Sequence, residues 1–199
     1  MLKVSAILLG AGESKRMGVN KLGLPWRKKT VFEHCLDTLL RSNVNEVVVV
    51  LSKKTKDMRS QLERTGAKVV LNPFYRRGMS TSIRRGLRAV DPRSEGILIA
   101  LGDQPFLKTR TINALIRAFV RRKHTLIVPS FQGKKGHPVI FHRKYEKELL
   151  NLKGDVGGRS IIESHPGNVW VVHVKSEGVV KDIDTRDDYR EGMKPQPTI

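Results

Sequence analysis

Two cations set a short way beyond a glycine-rich turn are the residues of this sequence best suited to chemistry. The segment reads Ala6-Ile7-Leu8-Leu9-Gly10-Ala11-Gly12-Glu13-Ser14-Lys15-Arg16-Met17-Gly18-Val19-Asn20-Lys21. Gly10 and Gly12 carry no Cβ, so backbone N–H groups can approach a ligand closely there. Such a turn makes an anion-binding concavity. Arg16 offers phosphate oxygens a planar fork, and Lys21 offers a compact point charge. The loop predicts a triphosphate site, with the backbone of Leu9, Gly10, Ala11 and Gly12 as its seat. Two common phosphate loops do not fit. A dinucleotide fingerprint needs a third glycine where Lys15 stands, and a P-loop needs glycine one residue before Gly18 and lysine just after it.

A carboxylate complements these cations. Asp103 leaves the apolar run Ile99-Ala100-Leu101 within Gly102-Asp103-Gln104-Pro105. An acid at the end of a buried strand must be paired, protonated or metal-bound. Thr109 lies closer to the start of the following helix and is the better N-cap, which leaves Asp103 for Mg2+, a cation that favours one or two carboxylates together with substrate phosphates. A third element is a hydroxyl-rich helix start, Gly78-Met79-Ser80-Thr81-Ser82. Helix N-termini present free N–H groups and partial positive charge, so Ser82 and its neighbours suit the base, ribose or phosphate of a nucleotide.

The elements that must hold these residues alternate. Strands are expected over residues 4–9, Glu46–Leu51, 67–71, Gly96–Leu101, 126–128, 139–141 and 169–174, from short β-branched apolar runs. Helices are expected over Val31–Leu40, 54–64, 81–90 and 109–122, with Thr30 and Glu33 forming a capping box for the first. This alternation implies a three-layer α/β domain with a mainly parallel sheet, whose ligand lies beyond the carboxyl ends of the strands. Residues 1–191 read as one domain and 192–199 as a flexible tail.

Composition bounds the rest. The chain has 199 residues and 39% hydrophobic content, which suits one domain with a full core. No apolar run approaches the ~20 residues that cross a membrane. The start, Met1-Leu2-Lys3-Val4, does not read as a signal peptide, and the single cysteine, Cys35, falls on an apolar helix face as a small hydrophobe. A cytoplasmic location is expected. No histidine pair or Cys-x-x-Cys suggests zinc. The formal net charge of +19 attracts nucleic acid and small polyanions alike. A helix-turn-helix or aromatic RNA-binding signature is lacking, which disfavours nucleic acid.

The first loop resembles the signature of the MobA-like nucleotidyltransferases, roughly L-A-A-G-x-S-x-R-M-G-x-x-K. Leu9, Ala11, Gly12, Ser14, Arg16, Met17, Gly18 and Lys21 match, and Gly10 replaces the usual Ala. Gly102-Asp103-Gln104-Pro105 resembles the family's G-D-[QM]-P, where the aspartate holds magnesium, and the stretch from Asn72 to Ile83 resembles its N-x-x-x-x-G-M-x-x-S-L. Lys181-Asp182-Ile183-Asp184-Thr185-Arg186-Asp187-Asp188-Tyr189 is similar to D-I-D-T-P-E-D-Y, with Arg186 for Pro and Asp187 for Glu. Alternation puts Asp182 and Asp184 on one side of an extended segment. Either can complete a metal site with Asp103, with Asp182 slightly preferred, and Asp187 and Asp188 suit the first turn of a last helix.

Two further segments resemble one branch, the molybdenum cofactor cytidylyltransferases: Gly133-Lys134-Lys135-Gly136-His137-Pro138-Val139 and Gly154-Asp155-Val156-Gly157-Gly158-Arg159. The resemblance implies a Rossmann-like (GT-A-like) fold and transfer of CMP from CTP to the terminal phosphate of molybdenum-molybdopterin, releasing pyrophosphate. It implies catalytic roles for Arg16, Lys21 and Asp103, and acceptor binding by His137, Asp155 and Arg159. It also implies a molybdoenzyme or chaperone partner. The alternatives are a GTP-dependent guanylyltransferase, whose loop usually has Gly where Ala11 stands, another small-phosphate transferase of the same fold, a basic nucleic-acid-binding module, and a carrier that delivers cofactor without catalysis.

Overall fold

The computed structural model describes residues 2–12, 17–122 and 125–194. Along these residues run β1 (Val4–Gly10), β2 (Pro25–Trp26), β3 (Lys29–Thr30), α1 (Val31–Leu40), β4 (Glu46–Leu51), α2 (Arg59–Glu63), β5 (Lys68–Leu71) and α3 (Met79–Leu87). They continue with β6 (Gly96–Leu101), α4 (Thr109–Arg121), β7 (Leu126–Phe131), β8 (Lys134–Lys135), β9 (Val139–His142), α5 (Glu146–Asn151), α6 (Arg159–Ser164), β10 (Val169–His173) and α7 (Arg186–Met193). The main sheet has the order β10-β7-β9-β6-β1-β4-β5, with β8 paired to β7, while β2 and β3 form a separate hairpin. β1 runs parallel to β4 and β6, β4 to β5, and β7 to β10; β9 is antiparallel to both its neighbours. The architecture is the expected three-layer α/β fold with a mostly parallel sheet.

Side-chain alternation builds the layers. Ala6, Leu8, Val47, Val49, Leu98 and Ala100 face one side and pack on Phe32, Leu36, Ile112, Leu115 and Phe119 of α1 and α4. Ile7, Leu9, Val48, Val50, Ile97 and Ile99 face the other and pack on Ile83, Leu87, Leu149 and Ile161 of α3, α5 and α6. Because both faces are covered, the central strands read as unbroken apolar runs. Each fully buried Leu, Ile or Phe contributes about 1.5–3 kcal/mol. The Thr30 and Glu33 capping box is present, with Glu33 N–H donating to Thr30 Oγ1 and Thr30 N–H to Glu33 Oε2. Cys35 lies in this core, where burial pushes its thiol pKa up.

Several boundaries differ from expectation. Residues 54–64 divide into a 3-10 turn, Lys53–Met58, and the short α2. Thr109 is not the N-cap of α4; Lys108 holds that position without a side-chain cap, and the Thr109 hydroxyl donates to the Thr38 carbonyl of α1. Helix–helix docking has taken the hydroxyl that capping would have used. The last helix extends to Met193, into the stretch read as a tail, because Gly192 packs closely against Trp26 and Phe106. Residues 195–199 lie outside the described set. No helix among the described residues is long and apolar enough to cross a membrane.

Gly10 is required by packing against Phe32. A Cβ there would meet the Phe32 ring at 2.5 Å, whereas one at Gly12 would meet nothing within 4 Å among the described residues. Gly10→Ala is therefore expected to lower stability by about 1–3 kcal/mol through overpacking, while Gly12→Ala stays within about 0.5 kcal/mol of the native chain. Urea midpoints of the two variants check this; equal midpoints would remove the role assigned to Phe32.

Candidate active site

A cleft of about 700 Å³ opens at the carboxyl edge of β1 and β6. Leu9, Ala11 and Gly12 line it from the loop after β1, and Leu101 and Asp103 from the end of β6. Asp182 and Asp184 arrive from the segment before α7. That segment is tied down by Ile183, whose N–H donates to the Asp103 carbonyl at 2.9 Å. The Ile183 side chain is fully buried with Met17, Trp26, Val31 and Phe106. In an extended segment, burying the middle residue turns both its neighbours the opposite way, so both aspartates face the cleft.

The carboxylates of Asp103, Asp182 and Asp184 bring one oxygen each within 4.8 Å of one another. Lys21 enters this cluster from a short 3-10 turn, Lys21–Gly23, capped by the Asn20 side chain. Its Nζ lies 2.6 Å from Asp103 Oδ2 and 2.9 Å from Asp184 Oδ1. Burial by itself would lower the Lys21 pKa, but the two carboxylates outweigh it and hold the ammonium above the ordinary lysine range. Asp182 is shifted the other way for a carboxyl: burial, then the like charges of Asp184 and Asp103, raise its pKa against the pull of Lys21. Asp103 Oδ1 is buried with no hydrogen-bond partner among the described residues. Three crowded carboxylates, one with an orphaned oxygen, suit a hard divalent cation. Lys21 is a single cation among three carboxylates, so the residues fit a metal held by Asp103 with Asp182 and Asp184.

The opposite wall is the start of α3. Gly78, at φ +101°, lets the chain turn into the helix against the Gly154 backbone. The N–H of Met79 donates to Asp155 Oδ1 at 3.0 Å, and that of Ser80 to the Gly154 carbonyl. Asp155 thus lines the cleft while capping α3 from another segment. Ser82 also lines it, with its Oγ accepting from Asn72 Nδ2 at 2.9 Å.

Other expected residues lie elsewhere. Arg16 falls outside the described residues. Gly10 is absent from the cleft lining, as is Arg159, whose guanidinium pairs with Glu163 on α6 at 2.7 Å. His137 lies on the Asp103 side of the cleft, its backbone N–H donating to the Val179 carbonyl and its Nδ1 buried without a partner among the described residues. Burial lowers its pKa, opposed by Asp103 and the Ile99 backbone. Sequence reasoning had not assigned Tyr75, Arg76, Arg77 and Met79 to the site, yet all line the cleft. The signal was present: two arginines directly before a glycine at a helix start.

The chain matches the model of the MobA-like NTP transferase domain over residues 6–169. It belongs to that family. The purine catabolism protein PucB of Bacillus subtilis is 33% identical over 196 residues, covering 92% of each chain. The molybdenum cofactor cytidylyltransferase of Escherichia coli is 24% identical over 190 residues, covering 95% of each. The crystal structure of Rv0371C from Mycobacterium tuberculosis in complex with manganese superposes with a TM-score of 0.83 at 27% identity, over 98% of this chain and 99% of that one. The family and the site together make this chain a nucleotidyltransferase.

Lys21→Ala should leave the acidic cluster without its internal counter-charge. Without divalent ions it is expected to cost about 1–3 kcal/mol of stability, and Mg2+ should restore more stability to this variant than it adds to the native chain. Urea unfolding in EDTA and in Mg2+ measures both; identical midpoints for native and variant protein in EDTA would contradict the assignment.

Proposed function

We propose that this chain transfers CMP from CTP to the terminal phosphate of a molybdopterin-type acceptor, releasing pyrophosphate. The observation that carries this reading is the convergence of Asp103, Asp182, Asp184 and Lys21 beside the open Gly12 turn. The acceptor phosphate oxygen attacks the α-phosphorus of CTP; the new P–O bond forms as the bond to the bridging oxygen breaks, and pyrophosphate carries away the electron pair. The nucleophile is already an anion, so no side-chain nucleophile is required. The work left to the protein is positioning and charge stabilisation.

In this reading the backbone from Leu9 to Gly12 seats the nucleotide, and Ser82 with the first turn of α3 meets its ribose or base. Lys21 and Arg16 neutralise the phosphates and the leaving pyrophosphate. Asp155 orders the acceptor side through its cap on α3, and His137 backs the Asp103 side of the cleft. A divalent ion, magnesium in this proposal, would be held by Asp103 with Asp182 and Asp184 and would supply Lewis-acid stabilisation of phosphoryl charge. Ala11 and the Gly136-His137-Pro138 segment favour cytidine over guanosine in this reading.

A pyrophosphate-release screen of the four nucleoside triphosphates, with and without molybdopterin, tests the proposal. CTP with molybdopterin is expected to turn over best. A preference for GTP would reassign the base, and no release with any nucleotide would refute the reading. Asp103→Ala should reduce turnover by roughly 10²–10³-fold while the chain stays folded, comparable to removing one strong electrostatic stabiliser. Near-native turnover of that variant at limiting Mg2+ would remove Asp103 from the machinery.

A further inference from the structure

A second concavity, of about 330 Å³, lies across the loop of residues 72–78 from the cleft. Arg77, Arg84, Arg85 and Arg88 line it, and no carboxylate among the described residues does. None of the four forms an ion pair among the described residues. Two of them are anchored: Arg84 Nη1 donates to the Leu152 carbonyl and Arg85 Nε to the Leu71 carbonyl, each at 3.0 Å. A guanidinium has five N–H donors, so each anchor leaves most of them for a ligand. The aromatic side is Phe74, 56% exposed, with the Arg77 guanidinium 5.1 Å from its ring centroid.

The floor is preorganised. Asn72 Nδ2 donates to Thr81 Oγ1 at 2.8 Å and to Ser82 Oγ at 2.9 Å, and Asn72 Oδ1 accepts from Phe74 N–H at 3.0 Å. Four cations gathered without counter-charge repel one another and concentrate positive potential in the hollow. An anion entering it relieves that repulsion and gains charge-assisted, forked hydrogen bonds. The volume sits at the small end of the range for small-molecule pockets, and its concavity favours a compact ligand over the backbone of a duplex.

We propose that this pocket binds a small oligophosphate, as a site distinct from the cleft. The ligand chemistry is two or more linked phosphates, carried either by free inorganic oligophosphate or by a nucleotide. Arg77 lines both hollows, so the occupant shares a wall with the cleft.

The test is calorimetric titration with inorganic tripolyphosphate in EDTA, where the metal-free acids of the cleft repel the probe. Arg85→Ala/Arg88→Ala removes two pocket arginines that do not line the cleft. Arg110→Ala/Arg117→Ala on α4 removes the same net charge elsewhere. The pocket variant is expected to bind about tenfold or more weakly, the loss of at least one charge-assisted contact, with the α4 variant like the native chain. A second titration with a non-hydrolysable CTP analogue separates the sources: equal affinity assigns free oligophosphate, and tighter nucleotide binding lost in the pocket variant assigns a nucleotide. Native affinity in the pocket variant would overturn the proposal. An equal loss in both variants would overturn it too, leaving only bulk charge. So would a duplex DNA that binds more tightly than tripolyphosphate and loses its affinity in the pocket variant alone.

Discussion

Three stretches that are distant in sequence meet where the Lys21 ammonium sits between the carboxylates of Asp103 and Asp184, a contact that spans 163 residues in the second case. An exposed ion pair of this kind contributes little. Here the ammonium is nearly buried and the acids are crowded, so removing one partner leaves uncompensated charge in a poorly solvated place. The pair cannot assemble itself. It depends on Ile183, which fills an apolar pocket with Trp26 and Phe106 and hydrogen-bonds to the Asp103 backbone. Hydrophobic burial sets the position, and electrostatics then acts at short range between groups already held in place.

The same logic shapes the base of the site. Phe32 of α1 lies against Gly10 at the end of β1 and against Gly102 after β6, each of which would bring a Cβ to within 2.5 Å of the ring. The two strand ends that deliver the cleft residues are therefore seated on one aromatic ring. Glycine is needed there for the approach of a side chain from below, while Gly12 faces open space above. Two glycines of one loop thus do different physical work.

The strong positive charge is distributed unlike a uniform basic coat. The centre of the cleft is acidic, whereas its rim carries Arg76 and Arg77, and the neighbouring hollow is wholly basic. A basic periphery raises the encounter rate of polyanions, and the acids within then require a cation to accompany any phosphate that binds. For a nucleotide-using enzyme, that arrangement separates attraction from retention.

Where burial is local and periodic, the sequence by itself determined the outcome. β1, β4 and β6 show as apolar runs because helices cover both their faces, and α1 announces itself through its stripe and capping box. Lys21 and Asp103 could be named from their place beyond the first and fourth expected strands, Asp182 and Asp184 from the resemblance to the family's motif, and the shared direction of the last two followed from alternation. Only the tertiary structure decided the rest. The reversed direction of β9 leaves no mark in an apolar run, and α5 and α6, of six residues each, are too short to show a period. Whether Gly10 faces a ligand or Phe32, whether Thr109 caps its helix or bonds to α1, and whether Lys21 points into a cluster of acids are set by neighbours far along the chain. Spacing reports what a residue can do; the packing of distant segments selects which of those contacts it makes.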